Sequence, residues 1–331
     1  MTADAPTHTT PLRLEWLANP LRRPAALRLH LDTQAPEAWS VLLADPVLRE
    51  LCAALPCHLA EPAHAGLDDA TRALATDAGL TVLPDAQLQQ AAMAFPAQVD
   101  NDHWVVGAWY QQPPAKAAAA QAASRARALQ LVQLVSADAD THEIEAVLRQ
   151  DVTLSYHLLR VVNSVALGGR REITSFAQAI LLLGRQQLRR WLHLMLFAAR
   201  DDDPRSAMLG AHVTLRARSM ELLAEACGLD RAAQELAFMG GMFSLLGTLF
   251  GQPLPQVLSS LTLPDALRGA LLEREGMLGQ QLSVVEASEA PGDAPALNAH
   301  LARLGLPAAS FNRLRLQAAV WALQMTQAPA A

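Results

Sequence analysis

Lysine, cysteine and aromatic residues are scarce in this chain of 331 residues. Lys116 is the only lysine, and the formal net charge of −6 gives no broad attraction to nucleic acid or anionic lipid. Cys52, Cys57 and Cys227 form an odd, scattered set that fits a reducing compartment without a disulfide framework. Residues 1–10 contain neither a basic segment nor an apolar run. The sequence therefore predicts a cytoplasmic protein and argues against nucleic acid as a partner.

Local motifs for common chemistries are also missing. The ten histidines form no H-x-x-x-H, H-x-H or H-E-x-x-H pattern, and Cys52 and Cys57 lack the spacing of a zinc site. The sequence contains no G-x-S-x-G elbow and no glycine-rich phosphate loop of either common type. We therefore expect no cofactor and no bound metal.

What the chain does have is apolar sequence, since 51% of its residues are hydrophobic and 18% are charged. This balance favours a folded globular protein. The segment from Leu236 to Pro264 contains no charged residue. One interpretation is a helix from Glu235 to Phe250 buried inside a helical domain, and the alternative is a membrane span. Pro253 and Pro255 interrupt the segment, so we expect a buried helix and no membrane insertion.

The pattern changes along the chain. Proline-rich residues 1–26 predict an irregular N-terminus, and residues 27–113 alternate strand-like and helix-like segments, which indicates an α/β arrangement. Residues 114–128 are rich in alanine and glutamine and predict a linker. Residues 129–331 show helical periodicity with short connections, which predicts one helical domain. In the first part the predicted strands are 27–31, 80–83 and 104–110, and the predicted helices are 37–55 and 68–77.

Five arginines are a candidate interaction surface. Arg170 and Arg171 follow a glycine pair, and Arg185, Arg189 and Arg190 lie on the helix predicted after Gly184. Arginine is favoured at protein interfaces. The alternative is a helix-joining turn whose arginines are simply solvated.

One stretch, residues 131–196, resembles the HDOD domain, a helical relative of the HD phosphohydrolases. The resemblance rests on spaced elements: Asp151, Leu154, Leu158-Leu159, Val162-Asn163-Ser164, Ile173-Thr174-Ser175, Ala179-Ile180 and Leu183-Gly184. Within these elements we take Asn163, Ser164, Thr174, Ser175 and Gly184 as structural signature residues. The resemblance implies a fold that is mainly α, with a C-terminal multi-helix HDOD domain preceded by a small α/β remnant.

That remnant resembles part of an EAL domain. The segment Val106 to Tyr110, followed by Pro113, looks like the end of such a domain, so the resemblance implies a degenerate, truncated EAL-like region at 27–113. EAL-type enzymes hydrolyse cyclic di-GMP with a Glu-Ala-Leu signature and acidic metal ligands. No matching signature occurs here. Asp68-Asp69 resembles one piece of the acidic set, but the first turn of a helix explains it better.

The resemblance to HD enzymes allows a test of the metal site. Gly241 to Gly247 falls on the family's "GLLHDIG" motif, with Ser244 in place of the histidine and Leu245 in place of the aspartate. His212 falls where the family's first histidine would lie. A serine hydroxyl is a poor ligand and leucine offers no lone pair. The comparison therefore implies that the HD metal site is lost.

These observations predict a non-enzymatic bacterial signal-transduction protein that acts by protein–protein interaction through an HDOD domain. Two alternatives remain at this stage. One is a sensor that binds cyclic di-GMP or another nucleotide without cleaving it, and the other is a residual HD-type, metal-dependent phosphohydrolase that uses His212. The expected partner is a signalling protein, with the cyclic di-GMP pathway as one candidate source. The sequence fixes neither that partner nor the oligomeric state.

Overall fold

The structure, a computed structural model, describes residues 10–31, 36–113, 130, 133–134, 139–149, 203–259, 261, 263–290 and 294–326. Its strands are β1 (Arg13–Ala18), β2 (Pro24–His30), β3 (Cys57–Ala60), β4 (Leu80–Leu83), β5 (Leu88–Gln90) and β6 (Trp104–Val106). The helices before the linker are α1 (Pro36–Leu43), α2 (Pro46–Ala54), α3 (Glu61–Ala65) and α4 (Asp69–Asp77). The later helices are α5 (Thr141–Arg149), α6 (Ser206–Ala226), α7 (Arg231–Phe243), α8 (Leu246–Phe250), α9 (Leu254–Leu258), α10 (Asp265–Glu273), α11 (Gly276–Glu289), α12 (Ala294–Arg303) and α13 (Ala308–Thr326).

The six strands form one mixed sheet in the order β4-β3-β2-β1-β6-β5. β1 is antiparallel to both of its neighbours, while β2, β3 and β4 are parallel to one another and β5 is parallel to β6. In the β1–β2 register Trp16 lies opposite Leu27, and these side chains are buried. Glu15 lies opposite Arg28, and the two-residue period of a strand places this pair on the other face.

This sheet corrects the predicted fold class, because a chain with a six-stranded sheet is not mainly α. The prediction of a small remnant underestimated a region that begins with β1, inside the residues expected to be irregular. Pro11, Pro20 and Pro24 suggested broken structure, but they lie outside β1 or at the first residue of β2, where a strand tolerates proline. The helical region after the linker does fit an HDOD domain. The predicted division into four segments, 1–26, 27–113, 114–128 and 129–331, stays a prediction.

Sheet and helices share a continuous hydrophobic core. Buried residues of β1 and α2 belong to the same cluster as those of α6 and α13, and α13 packs against both α2 and α6. Asn312 of α13 fixes the entry to β1, because its Oδ1 accepts from the backbone N–H of Leu12 at 2.6 Å and its Nδ2 donates to the carbonyl of Thr10 at 3.0 Å. The sheet is therefore docked on the helices by specific polar contacts as well as by apolar burial.

The first part of the uncharged segment is largely buried, as predicted, but the helix expected from Glu235 to Phe250 is divided into α7 and α8. α7 ends at Phe243, where the Ser244 hydroxyl donates to the carbonyl of Gly241 at 2.7 Å and Leu245 leaves helical geometry with φ −104° and ψ 4°. Gly251, at φ 63°, then ends α8 in the left-handed conformation that favours glycine. Among the helices within the described ranges, none has the length and apolarity that a bilayer span requires.

α6 and α7 cross with their backbones in close approach. A β-carbon built on Gly241 would lie 2.6 Å from the Cα of Ala217, whereas one on Gly240 would meet its nearest neighbour, the Leu267 side chain, at 3.5 Å. Only glycine therefore fits at position 241 without moving a helix. This crossing places Ser244, the residue after α7, beside Arg216 of α6.

Candidate functional site

A buried group of polar side chains lies where the sheet meets the helices. We call it the junction cluster, and its members are Tyr110, His212, Arg216, Ser244 and Glu289. Tyr110 follows β6 in the 3-10 turn Trp109–Gln111, while Ser244 follows α7 and Glu289 ends α11. His212 and Arg216 are four residues apart on α6 and share one face of that helix. The side chains of His212, Arg216 and Glu289 are 7%, 8% and 9% exposed.

Arg216 and Glu289 form the charged centre of the cluster. The Arg216 Nε lies 3.1 Å from both carboxylate oxygens of Glu289, and its Nη2 also donates to Oε2. The Arg216 Nη1 donates to the Ser244 hydroxyl at 2.8 Å. Burial alone would raise the pKa of Glu289, but the charges of Arg216 and His212 and their hydrogen bonds hold it far below its ordinary value. Glu289 is therefore ionised in the folded protein at neutral pH, and its carboxylate is held by Arg216 and His212.

His212 connects this ion pair to the sheet. Its Nε2 lies 3.3 Å from Glu289 Oε2, and its Nδ1 lies 3.2 Å from the hydroxyl oxygen of Tyr110. Burial raises the pKa of Tyr110, so the phenol keeps its proton. The His212 Nε2 therefore donates to the ionised Glu289, and its Nδ1 pairs with the Tyr110 hydroxyl. One chain of hydrogen bonds thus joins the end of β6 to α6 and α11.

Two further arginines, Arg274 and Arg315, lie on the helical side of the cluster. Arg274 donates to Glu286 from Nε at 2.9 Å and from Nη2 at 2.8 Å, and Glu286 also lies 3.7 Å from Arg216 Nη1. Arg315 is fully buried and donates from Nη1 to the Ser219 hydroxyl at 2.8 Å. Burial lowers the pKa of Arg315 to about 10. The helical side of the junction is consequently rich in guanidinium groups.

The residues at the HD-motif positions do not fit a metal ion. The Ser244 hydroxyl is occupied by Arg216 and by the carbonyl of Gly241, and Leu245 is a buried apolar side chain. The carboxylate nearest His212 belongs to Glu289 and is already held by a guanidinium. A divalent cation here would have to displace or face the positive charge of Arg216. We therefore derive no chemistry through a metal at this position.

Other predicted residues have mixed outcomes. The interpretation of Asp68 as a helix N-terminal residue is confirmed, since its side chain accepts from the Thr71 N–H at 2.7 Å and caps α4. The candidate interaction surface and the signature residues lie outside the residues that the structure describes, and they stay predictions. These are Arg170, Arg171, Arg185, Arg189 and Arg190, and Asn163, Ser164, Thr174, Ser175 and Gly184.

Sequence reasoning missed most of the junction cluster. It selected His212, Ser244 and Leu245 from the resemblance alone, and it did not select Tyr110, Arg216 or Glu289. The i, i+4 spacing of His212 and Arg216 was a usable signal, because it places both on one helix face. Glu289 lies 73 residues beyond Arg216, and no local pattern connects such residues.

Comparison with known proteins confirms the domain resemblance. Residues 123–264 match the model of the HDOD domain. The chain is 31% identical over 184 residues to the cyclic di-GMP phosphodiesterase CdgJ of Vibrio cholerae, a match covering 56% of this chain and 42% of that protein. It is also 31% identical over 147 residues to the uncharacterized protein YuxH of Bacillus subtilis, covering 43% of this chain and 35% of that protein. Each match thus spans less than half of the relative's length. No solved structure matches the chain.

This similarity contradicts two predictions, that the chain is not an enzyme and that it acts as a non-enzymatic signalling protein. The physical reason for the error is that the elimination examined only short sequence motifs, namely those of metal sites, nucleophiles and phosphate loops. Hydrolysis of a phosphodiester can also depend on side chains that no short motif marks. The predicted link to the cyclic di-GMP pathway is supported, while the EAL-like character of residues 27–113 stays a prediction.

Proposed function

We propose that this protein acts in cyclic di-GMP signalling by taking part in the hydrolysis of cyclic di-GMP. The observation that carries the proposal is the similarity over 184 residues to a cyclic di-GMP phosphodiesterase. The HDOD domain at residues 123–264 agrees with a role in bacterial signalling, which its resemblance implies.

Within this proposal the junction cluster positions the two parts of the chain. Its carboxylate, its imidazole and its guanidinium all have partners inside the protein, and burial keeps them from bulk water. Side chains whose polar atoms are paired inside the protein hold its parts in place, and they are not free to act as an acid or a base on a substrate. We therefore expect substitutions here to act through stability and through the seating of the sheet.

A group of ligand-type side chains lies on the turn before β6. Within the described ranges, Asp100, Asp102 and His103 each offer one ligand atom, and these atoms lie within 4.8 Å of one another. Both aspartates are exposed, and hydrogen bonding to His103 lowers the pKa of Asp102. Because exposed acidic groups often occur without an ion, this turn enters the experiment as a variant to be tested and has no assigned role.

The proposal is tested by incubating the purified full chain with cyclic di-GMP and either Mg²⁺ or Mn²⁺. The linear dinucleotide product is then measured by chromatography, and it should accumulate above a control without protein. The double variant Asp100→Asn, Asp102→Asn tests whether the acidic turn contributes, with Glu15→Gln as a control elsewhere on the sheet. Absence of product with either ion, in a buffer where an established phosphodiesterase is active, would contradict the proposal.

A cellular measurement supplies an independent check. Raising the amount of the protein in bacterial cells should lower the extracted concentration of cyclic di-GMP, because hydrolysis removes it. A concentration that stays unchanged while the protein accumulates as a folded species would speak against a part in this reaction.

A further inference from the structure

A pocket of about 410 Å³ lies between α7, α10 and α11, separate from the junction cluster. This volume falls in the range of small-molecule sites. Its wall is mostly apolar and comes from the first half of each helix and from the turn between α10 and α11. The lining includes Ala233, Leu236, Asp265, Glu275, Leu278 and Gln281.

Gln281 is the unusual member of the lining. Its side chain is fully buried, and within the described part of the chain neither its Oε1 nor its Nε2 has a hydrogen-bond partner. Buried amides in folded proteins are nearly always paired, because burying one without a partner loses its hydrogen bonds to water. A ligand that brings its own donor or acceptor can satisfy this amide, and it reaches the amide by displacing the side chains that cover it, since Gln281 itself has no surface open to water.

The charge at the pocket is of one sign. Asp265 and Glu275 are both exposed, and the residues that line the pocket include no arginine, lysine or histidine. Gly269 lets Glu275 come close to α10, since a β-carbon built on Gly269 would lie 3.0 Å from Glu275 Oε2. Two carboxylates next to an apolar wall favour a cationic ligand and disfavour an anionic one.

From these three observations we propose that the pocket binds a small organic cation with an apolar, ring-sized body. The body fills the apolar wall, a polar N–H of the ligand pairs with the Gln281 amide oxygen, and the ammonium group lies near Asp265 and Glu275. The site goes beyond the proposed hydrolysis and is independent of it. Cyclic di-GMP carries two negative charges, and the carboxylates of this pocket disfavour it.

The direct test is a calorimetric titration of the full chain with three probes that share one ring and differ in charge. Tryptamine is the cation, indole is the neutral compound and indole-3-acetate is the anion. We expect tryptamine to bind saturably with a dissociation constant on the order of 10⁻⁴ M, and at least about tenfold more tightly than indole-3-acetate. Indole should lie between them.

Two alanines on α7 provide a matched pair of variants. Ala233 lines the pocket, whereas its neighbour Ala232 is exposed and is not part of the lining. Ala233→Phe should fill the space and abolish tryptamine binding, while Ala232→Phe should leave it within about twofold of the unchanged protein. Equal binding by both variants would place the ligand elsewhere and overturn the proposal.

Two further variants separate the polar contributions. Asp265→Asn combined with Glu275→Gln changes exposed residues and should reduce the preference for tryptamine over indole-3-acetate to below about threefold. Gln281→Leu should weaken tryptamine binding about tenfold, and circular dichroism confirms that the variant is folded. No saturable binding of tryptamine, or equal affinity for all three probes, overturns the proposal. Neither result bears on the hydrolysis assay, which uses a different ligand and readout.

Discussion

In the part of the chain that the structure describes, one triad of glutamate, arginine and histidine lies on the sheet and a second lies among the helices. The sheet triad is Glu15, Arg28 and His30, in which Glu15 Oε2 lies 2.7 Å from Arg28 Nη2 and 2.9 Å from His30 Nε2. The helical triad is Glu289, Arg216 and His212, described above. The Glu15 side chain is 31% exposed and that of Glu289 is 9% exposed. The two triads contain the same three residue types, but water has more access to the carboxylate of the sheet triad than to that of the helical triad.

This difference decides what each triad contributes. If Glu15 is removed, water can reach its position and His30, whose side chains are 31% and 27% exposed, although the Arg28 side chain is only 11% exposed. In the helical triad water cannot take the place of a lost partner, so the loss of one charge leaves another buried and without a counter-charge. We therefore expect the loss of the carboxylate to cost less at the sheet triad than at the helical triad.

The largest contrast is expected from removing the carboxylate of each triad. Glu289→Gln should lower the free energy of unfolding by about 3–5 kcal/mol, because Arg216 stays buried without a counter-charge. Glu15→Gln should lower it by less than about 1 kcal/mol, since that triad is partly solvated. Urea denaturation followed by circular dichroism measures both. Equal losses would show that burial does not distinguish the triads.

The second prediction concerns the helix crossing that supports the helical triad. Gly241→Ala should lower the free energy of unfolding by about 1–3 kcal/mol, because the new methyl group would meet the backbone of Ala217. The neighbouring Gly240→Ala has room and should be neutral or stabilising by up to about 1 kcal/mol. Thermal unfolding of the two variants compares them, and a stable Gly241→Ala protein would argue against the close crossing.

The third prediction is a pH dependence. The folded pKa of Glu289 is lowered from 4.5, so its stabilisation is present above that pH and is lost as the pH falls toward the folded value. Each proton taken up on unfolding contributes a slope of up to about 1.4 kcal/mol per pH unit. Glu289→Gln should therefore flatten the acid limb of a stability profile between about pH 5 and pH 3. An unchanged slope would remove Glu289 from the acid response.

The smallest effect is expected at the hydrogen bond that joins the helical triad to the sheet. Tyr110→Phe should lower the free energy of unfolding by about 0.5–1.5 kcal/mol, because the buried Nδ1 of His212 loses its partner. Thr81→Val, which removes the exposed contact to His58, is the matched change on the sheet and should have a smaller effect. A larger loss at Thr81 would reverse the comparison.

The same contrast between sheet and helices explains what the sequence could predict. Within residues 129–331 the helical periodicity predicts helices at 265–274 and 308–327, and α10 and α13 begin and end within one residue of these bounds. β5 was missed because its two glutamines give no apolar alternation, and β3 was missed although it is as long as the predicted strand β4. Strand signals depend on pairing with distant segments, while helix signals lie within a few residues.

The candidate sites follow the same rule. His212 and Ser244 were found because a family motif marks their positions. The junction cluster was not found as a unit, since it joins Tyr110, α6 and Glu289 across long separations in sequence. Gln281 could not be selected from sequence, because an unpaired amide is defined by what surrounds it.

Asn312 has a consequence for how the chain is made. It pairs with the backbone of Leu12, 300 positions earlier, so β1 cannot obtain this contact until α13 has left the ribosome. Such long-range closure is slow to form during folding. During synthesis the N–H of Leu12 and the carbonyl of Thr10 must wait for this partner, and a nascent chain stalled before α13 would expose the apolar residues that α13 covers to chaperones or to other copies of itself.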